Sequence, residues 1–171
     1  MVEAFIGLGS NLGDGQANLL AAWQRLGQEP GVMLTALSHP YRTAPVGMVT
    51  SHWFTNAVGS IRTELSADKL LGVLLAIEIE LGRNRAQGRD RAVDMDLLLY
   101  DAMVSDESYC TLPHPELARR LFVLAPLAEL APALVHPRLG RTVRELCDAA
   151  ERSGQLVERH EWRDRGALCL R

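Results

Sequence analysis

Val93-Asp94-Met95-Asp96-Leu97-Leu98-Leu99-Tyr100 is the stretch on which the fold turns. With Ala92 it forms the most apolar strand signal in the chain, and it completes an alternating series of strands and helices. Immediately before it, Ser66 reads as an N-cap, and Leu70, Leu71, Leu74, Ile77 and Leu81 recur at helical spacing up to Gly82. Before that helix, Phe54 to Leu65 reads as a strand, and Val32 to Thr43 as another. The chain starts with a short apolar strand, Val2 to Leu8. A glycine-rich loop, Gly9 to Gly15, follows it, with Asp14 placed to cap a helix from about Gln16 to Gln28. Leu19, Leu20, Trp23 and Leu26 give that helix one apolar face. The order strand, helix, strand, strand, helix, strand is the split βαβ arrangement of an α+β, ferredoxin-like sheet, with helices expected on one face. After Asp101 the sequence suggests a hairpin to Leu112, a Pro-His-Pro turn, and helices near Glu116 to Leu130 and Thr142 to Ser153. No element is assigned to Gln155–Arg171.

Composition narrows the function. The 171 residues are 47% hydrophobic and 23% charged, as expected of one ordinary globular domain, 1–171. A net charge of −3 argues against a basic nucleic-acid coat or an anionic-membrane binder. Cys110, Cys147 and Cys169 are odd in number and far apart, which disfavours a zinc knuckle or a disulfide scaffold. No signal-like start and no apolar run near ~18 residues are present, so the expected location is the cytoplasm. Monomer is the default oligomeric expectation.

Asp94 and Asp96 are the strongest anomaly. At i and i+2 on a strand they share a face, with Cα atoms ~6.5 Å apart at ~3.3 Å per residue. Two like charges on an apolar strand cost stability unless something neutralises them, and Mg²⁺ with its preference for oxygen ligands is one such partner. A solvent-facing side of an alternating strand is the plainer alternative. The loop just before the strand, Arg83 to Arg91, carries four arginines and one aspartate, a net +3, so the rest of the chain carries −6. A cationic loop leading onto a metal-competent strand suits a metal-bound polyphosphate. There is no G-x-x-x-x-G-K-[ST] run, which excludes a P-loop. Two rivals remain open at this level. Gly7-x-Gly9-x-x-x-Gly13 resembles a dinucleotide-binding turn, with Arg42 placed for a 2′-phosphate. A ferredoxin-like RNA-binding module shares the strand order. Phe54, Phe122, Asn56, Glu78 and His114 are candidates only in combination, while His39, His52, His136 and His160 lack ligand spacing.

Taken together, six motifs resemble the hydroxymethyldihydropterin pyrophosphokinase family. They are Phe5 to Gly13, Tyr41 to Gly47, Phe54 to Val58, Ile77 to Arg85, Val93 to Tyr100 and Leu112 to Leu127, and the resemblance covers about residues 3–137. It implies transfer of the β,γ-diphosphate of ATP to 6-hydroxymethyl-7,8-dihydropterin. It further implies that Asp94 and Asp96 hold two Mg²⁺ ions, that Arg83, Arg85 and Arg91 meet phosphate, and that His114 and Arg120 lie on the nucleotide side. Phe54 and Phe122 would sandwich the pterin ring, and Thr43, Asn56 and the backbone of Ala44 and Val46 would read its polar edge. The C-terminal helix and tail, 138–171, lie beyond the resemblance. One departure stands out: the family usually has Gly-Pro just before the second loop arginine, where this chain has Gly88-Arg89-Asp90. That difference predicts slower closure of the loop over the site or a different rate-limiting step.

Overall fold

A computed structural model describes residues 1–44, 53–83 and 92–164. Its main sheet is built on strand β1 (Val2–Ser10), which lies between β4 (Phe54–Thr63) and β5 (Asp94–Tyr100), antiparallel to both. Helix α1 (Gly15–Leu26) leads from β1 to β2 (Val32–Leu37) and β3 (Tyr41–Thr43), which both pair with β4, and α2 (Ala67–Glu80) leads from β4 to β5. Each crossover therefore spans one inserted antiparallel strand, which is the expected split βαβ topology.

The caps agree with the sequence. The Ala17 amide donates to Asp14 at 3.2 Å and the Lys69 amide to Ser66 at 3.4 Å. Two boundaries differ from expectation. The run Val32 to Thr43 is two strands, because Ser38-His39-Pro40 interrupts it and Pro40 has no amide hydrogen to donate to a ladder. The segment Glu116 to Leu130 is a 3-10 turn, Leu117–Arg119, followed by α3 (Leu121–Leu130). Downstream lie the expected hairpin, β6 (Ser105–Glu107) with β7 (Cys110–Leu112), and helix α4 (Val143–Glu151), closed by a Thr142/Glu145 capping box. The segment left unassigned from sequence contains β8 (Val157–Arg159), an edge strand on β3.

Helices cover both faces of the sheet rather than one. Ala4, Ile6 and Leu8 of β1 pack with Leu19, Trp23 and Leu26 of α1 and Leu70, Leu74 and Ile77 of α2. Phe5 points the other way, into a second core with Leu124 and Leu127 of α3 and Leu146 of α4. A register shift between Phe5 and Ile6 places Leu98 opposite neither residue, so Leu98 and Leu99 both face the second core. An open RNA-binding sheet face is thereby excluded, since α3 and α4 occupy it. Cys110 and Cys147 are buried free thiols. Among the described residues no helix is long and apolar enough to cross a membrane.

A polar cluster ties α3 to β3 and β8. Glu129 accepts from the His39 ring at 2.6 Å, the His39 amide at 3.0 Å and the Tyr41 hydroxyl at 3.0 Å, with Arg159 at 3.7 Å. Burial alone would raise the Glu129 carboxyl, but the hydrogen bonds from His39 and Tyr41 outweigh it and hold the group below its usual range. A depressed carboxylate contributes stability above its unfolded pKa of roughly 4.3 and loses it as pH falls through the lower folded value. Glu129→Gln is therefore expected to cost roughly 1–3 kcal/mol near pH 7, a gap that narrows below pH ~4. Thermal melts of both proteins from pH 7 to pH 3 check this, and a gap that stays constant across that range contradicts it.

Candidate active site

The glycines of β1 lie within a strand and form the floor of a cavity. β1 continues to Ser10, so Gly7 and Gly9 sit inside the ladder and no dinucleotide-type turn begins there. Gly7 is opposite Asp96 and Gly9 opposite Asp94 on β5, while on β4 Gly9 is opposite Asn56. The even-numbered neighbours Ile6 and Leu8 fill the first core. A Cβ on Gly9 would lie 3.2 Å from the Asn56 Oδ1, and one on Gly7 3.3 Å from a Leu98 methyl. Glycine in mid-strand is unfavourable for the strand itself, and here it leaves room above the backbone.

The cavity has a volume of about 350 Å³ and is open on one side. Asp94 and Asp96 stand along one edge, Thr43, Ala44, Phe54 and Asn56 along the other, and Arg120 and Phe122 enter from the start of α3. These eight sequence candidates are thus brought to one place. Asn56 is buried, and its Nδ2 donates to the Thr43 hydroxyl at 3.0 Å, fixing two polar groups side by side. The Arg120 guanidinium lies 5.7 Å from the centroid of the Phe122 ring. His114 does not line this cavity. Its amide donates to Leu98 O and its Nδ1 accepts from the Glu116 amide, so here it shapes the turn beside β5. Val46, Arg85, Arg91 and the Gly88-Arg89-Asp90 departure lie outside the described residues.

Arg83 reaches Asp94 from the end of α2. Gly82 takes φ +90°, the Arg83 amide bonds Glu78 O and the Gly82 amide bonds Ile79 O, a Schellman closure that turns the chain back toward β5. The Arg83 Nη1 then pairs with both Asp94 and Glu78, the latter at 2.6 Å. Glu78, only 2% exposed, also accepts from the Met95 amide at 2.7 Å. Burial pushes the Glu78 carboxyl up against the opposing pull of that amide and Arg83. Burial also works against the Arg83 charge, but Asp94 and Glu78 more than offset it and raise its pKa. Glu78 is thus a paired structural acid that anchors both the strand edge and Arg83.

Beyond the strand residues Leu8, Ala57 and Leu98, sequence reasoning missed four cavity residues: Glu116, Arg119, Val123 and Gln155. Glu116 and Arg119, between the Pro-His-Pro turn and Phe122, and Val123, directly after Phe122, carried a local signal. Gln155 carried none.

Two carboxylates on one wall define the metal chemistry this site can support. Among the described residues no group of three or more His, Cys, Asp or Glu side chains could hold an ion. Two oxygen donors facing an open cavity do fit Mg²⁺, which keeps waters and completes its octahedron with substrate phosphates.

The chain resembles known proteins in sequence and in fold. Residues 5–132 match the family model described as 7,8-dihydro-6-hydroxymethylpterin-pyrophosphokinase. The chain is 46% identical over 163 residues to the 2-amino-4-hydroxy-6-hydroxymethyldihydropteridine pyrophosphokinase of Methylorubrum extorquens, covering 94% of this chain and 100% of that protein. It is 41% identical over 142 residues to the protein of the same name from Porphyromonas gingivalis, covering 80% and 95%. The fold is similar to Plasmodium falciparum HPPK-DHPS with pteroate, at TM-score 0.68 and 13% identity over 86% of this chain. An HPPK-DHPS in complex with substrates gives TM-score 0.70 at 12% identity over 89% of this chain. The present chain spans 44% of each of those two longer chains.

Proposed function

Because this chain belongs to the 7,8-dihydro-6-hydroxymethylpterin pyrophosphokinase family, we propose that its cavity binds 6-hydroxymethyl-7,8-dihydropterin and transfers to it the β,γ-diphosphate of ATP. The observation that carries this reading is the joining, in one cavity, of a slot for a flat heterocycle and a pair of carboxylates. Phe54 and Phe122 supply apolar faces for a bicyclic ring. Asn56 and Thr43, already bonded to one another, offer in-plane donors and acceptors for the ring's polar edge, with the Ala44 backbone beside them. The glycine floor lets the ring lie directly on β1, with its hydroxymethyl arm toward Asp94 and Asp96.

In this reading the hydroxymethyl oxygen forms a bond to the β-phosphorus, the bond from that phosphorus to the α-phosphate bridging oxygen breaks, AMP leaves and the hydroxyl proton passes to solvent. Asp94 and Asp96 would hold two Mg²⁺ ions, which would supply neutralisation of the phosphate charge. The chain's own residues contribute position and charge. Arg83, held on the Glu78 carboxylate, sits ready beside Asp94, and Arg120 guards the mouth from α3. Arg85, Arg91, His114 and the Val46 backbone complete the proposed contacts by their place in the family's motifs. Orientation and electrostatic stabilisation carry a step of this kind without a dedicated base.

AMP release is the test. With ATP and Mg²⁺, AMP is expected only when the reduced hydroxymethylpterin is added, and chelation by EDTA should abolish it. AMP formation that ignores either omission contradicts the reading.

A further inference from the structure

Helix α3 carries Phe122 in its first turn, yet its own sequence leaves that turn uncapped. The cap residue is Arg120, which makes no side-chain capping bond, and the first turn has no acidic residue. The first amides of a helix need partners from elsewhere. Here the partner comes from 34 positions downstream: the Leu121 amide donates to Gln155 Oε1 at 3.0 Å. The other end of the same carboxamide donates from Nε2 to Arg119 O at 3.0 Å and to the Ser153 hydroxyl at 3.1 Å. Gln155 therefore grips the peptide run Arg119-Arg120-Leu121 at both edges, and it lines the cavity alongside Arg119, Arg120 and Phe122.

The backbone on which Gln155 sits is itself fixed to the opposite wall. Two residues later β8 pairs with β3, with Val157 opposite Thr43 and Arg159 opposite Tyr41. Beyond it Trp162 is buried, and its indole N–H donates to Ser38 O at 2.9 Å. The segment 155–162 thus joins the wall that carries Phe122 to the wall that carries Thr43, and it lies beyond the match to the family model, which ends at residue 132.

We propose that Gln155 is a positioning residue for the pterin slot: its carboxamide caps α3 and, through the β8 to β3 pairing, sets the gap between Phe122 and the Thr43/Asn56 wall. The proposal rests on the pterin reading above and deepens it. Gln155 acts through the start of α3, both ends of its carboxamide being engaged with protein groups.

Gln155→Met tests this, because methionine keeps the length and bulk of the side chain while removing all three hydrogen bonds. Pterin affinity, followed by equilibrium fluorescence in the presence of a non-hydrolysable ATP analogue and Mg²⁺, is expected to weaken about tenfold, the loss of roughly one hydrogen-bonded cap. The pterin KM should rise in step while kcat stays within about twofold, and Gln155→Glu, which keeps the acceptor for the Leu121 amide, should fall between wild type and Gln155→Met. A merely structural role would lower the melting temperature and leave the pterin affinity unchanged, and that result overturns the proposal. Wild type that binds no pterin instead overturns the pterin reading and this inference with it. A wild type that binds beside an equally tight Gln155→Met removes the inference alone.

Discussion

Asp96→Ala and Asp94→Ala are each expected to lower AMP formation by at least ~10²–10³-fold, with the circular-dichroism spectrum of wild type. The size follows from what the carboxylates do in the proposed reaction. They stand side by side on β5 in a cavity that also holds Phe54, Phe122, Asn56 and Thr43, with Glu116, Arg119 and Arg120 contributed from the segment leading into α3. Removing one group that fixes the charge balance of a transition state in a partly water-excluded site costs on the order of 10²–10³ in rate. The two positions differ in one respect. Asp94 also pairs with Arg83, so its loss leaves the shared Nη1 of Arg83 to Glu78. Steady-state rates at saturating ATP and pterin measure the effect, and rates within tenfold of wild type for both variants would contradict the assignment of this pair.

The second large effect falls on stability, at Gly59. This residue lies at the centre of β4, opposite Ile6 on β1 and Leu37 on β2. A Cβ built there would sit 2.2 Å from Trp23 Cζ3 and 2.5 Å from Cη2, and Trp23 is only 1% exposed. The indole is wedged between α1 and the sheet, within the core formed with Leu19 and Leu26, so it has no free space to move into. Gly59→Ala must therefore displace α1 from the sheet or twist β4. Overpacking of this kind costs about 3 kcal/mol or more, equivalent to a melting temperature lower by roughly 6–12 °C for a chain this long. A melt within 2 °C of wild type would contradict the close approach. Activity measured well below the melt should survive, because Gly59 is not among the cavity residues.

The parts of this structure legible in the sequence are those with local causes. The Asp14 and Ser66 caps, the apolar stripes of the two crossover helices and the alternation along the last core strand fix the split βαβ order. The two carboxylates on one face follow from the two-residue period of a strand. Eight candidate residues from the quoted motifs also converge: Thr43, Ala44, Phe54, Asn56, Asp94, Asp96, Arg120 and Phe122 share one cavity.

What the sequence did not reveal depends on distant contacts. Helices on both faces follow from Phe5 pointing opposite to Ile6, but α3 is apolar on nearly all sides, so its periodicity names no partner face. Gly7 and Gly9 read as a turn because glycine is common in turns, and only the ladder with Asp96 and Asp94 identifies them as a cavity floor. Glu78 could be assigned only once Met95 and Arg83 were seen to meet it. The segment around Gln155 shows neither strand nor helix period, since β8 is three residues long and its order comes from β3. A side chain that caps a helix 34 positions away leaves no trace in local spacing.

The most direct test of the central claim is the identity of the transferred group, read by phosphorus-31 NMR of a completed reaction with ATP, Mg²⁺ and 6-hydroxymethyl-7,8-dihydropterin. Diphosphoryl transfer predicts equal amounts of AMP and a new pair of coupled resonances from a pterin-bound diphosphate, with no ADP. ADP with a single phosphomonoester resonance, or ATP left unchanged by folded protein, would contradict it.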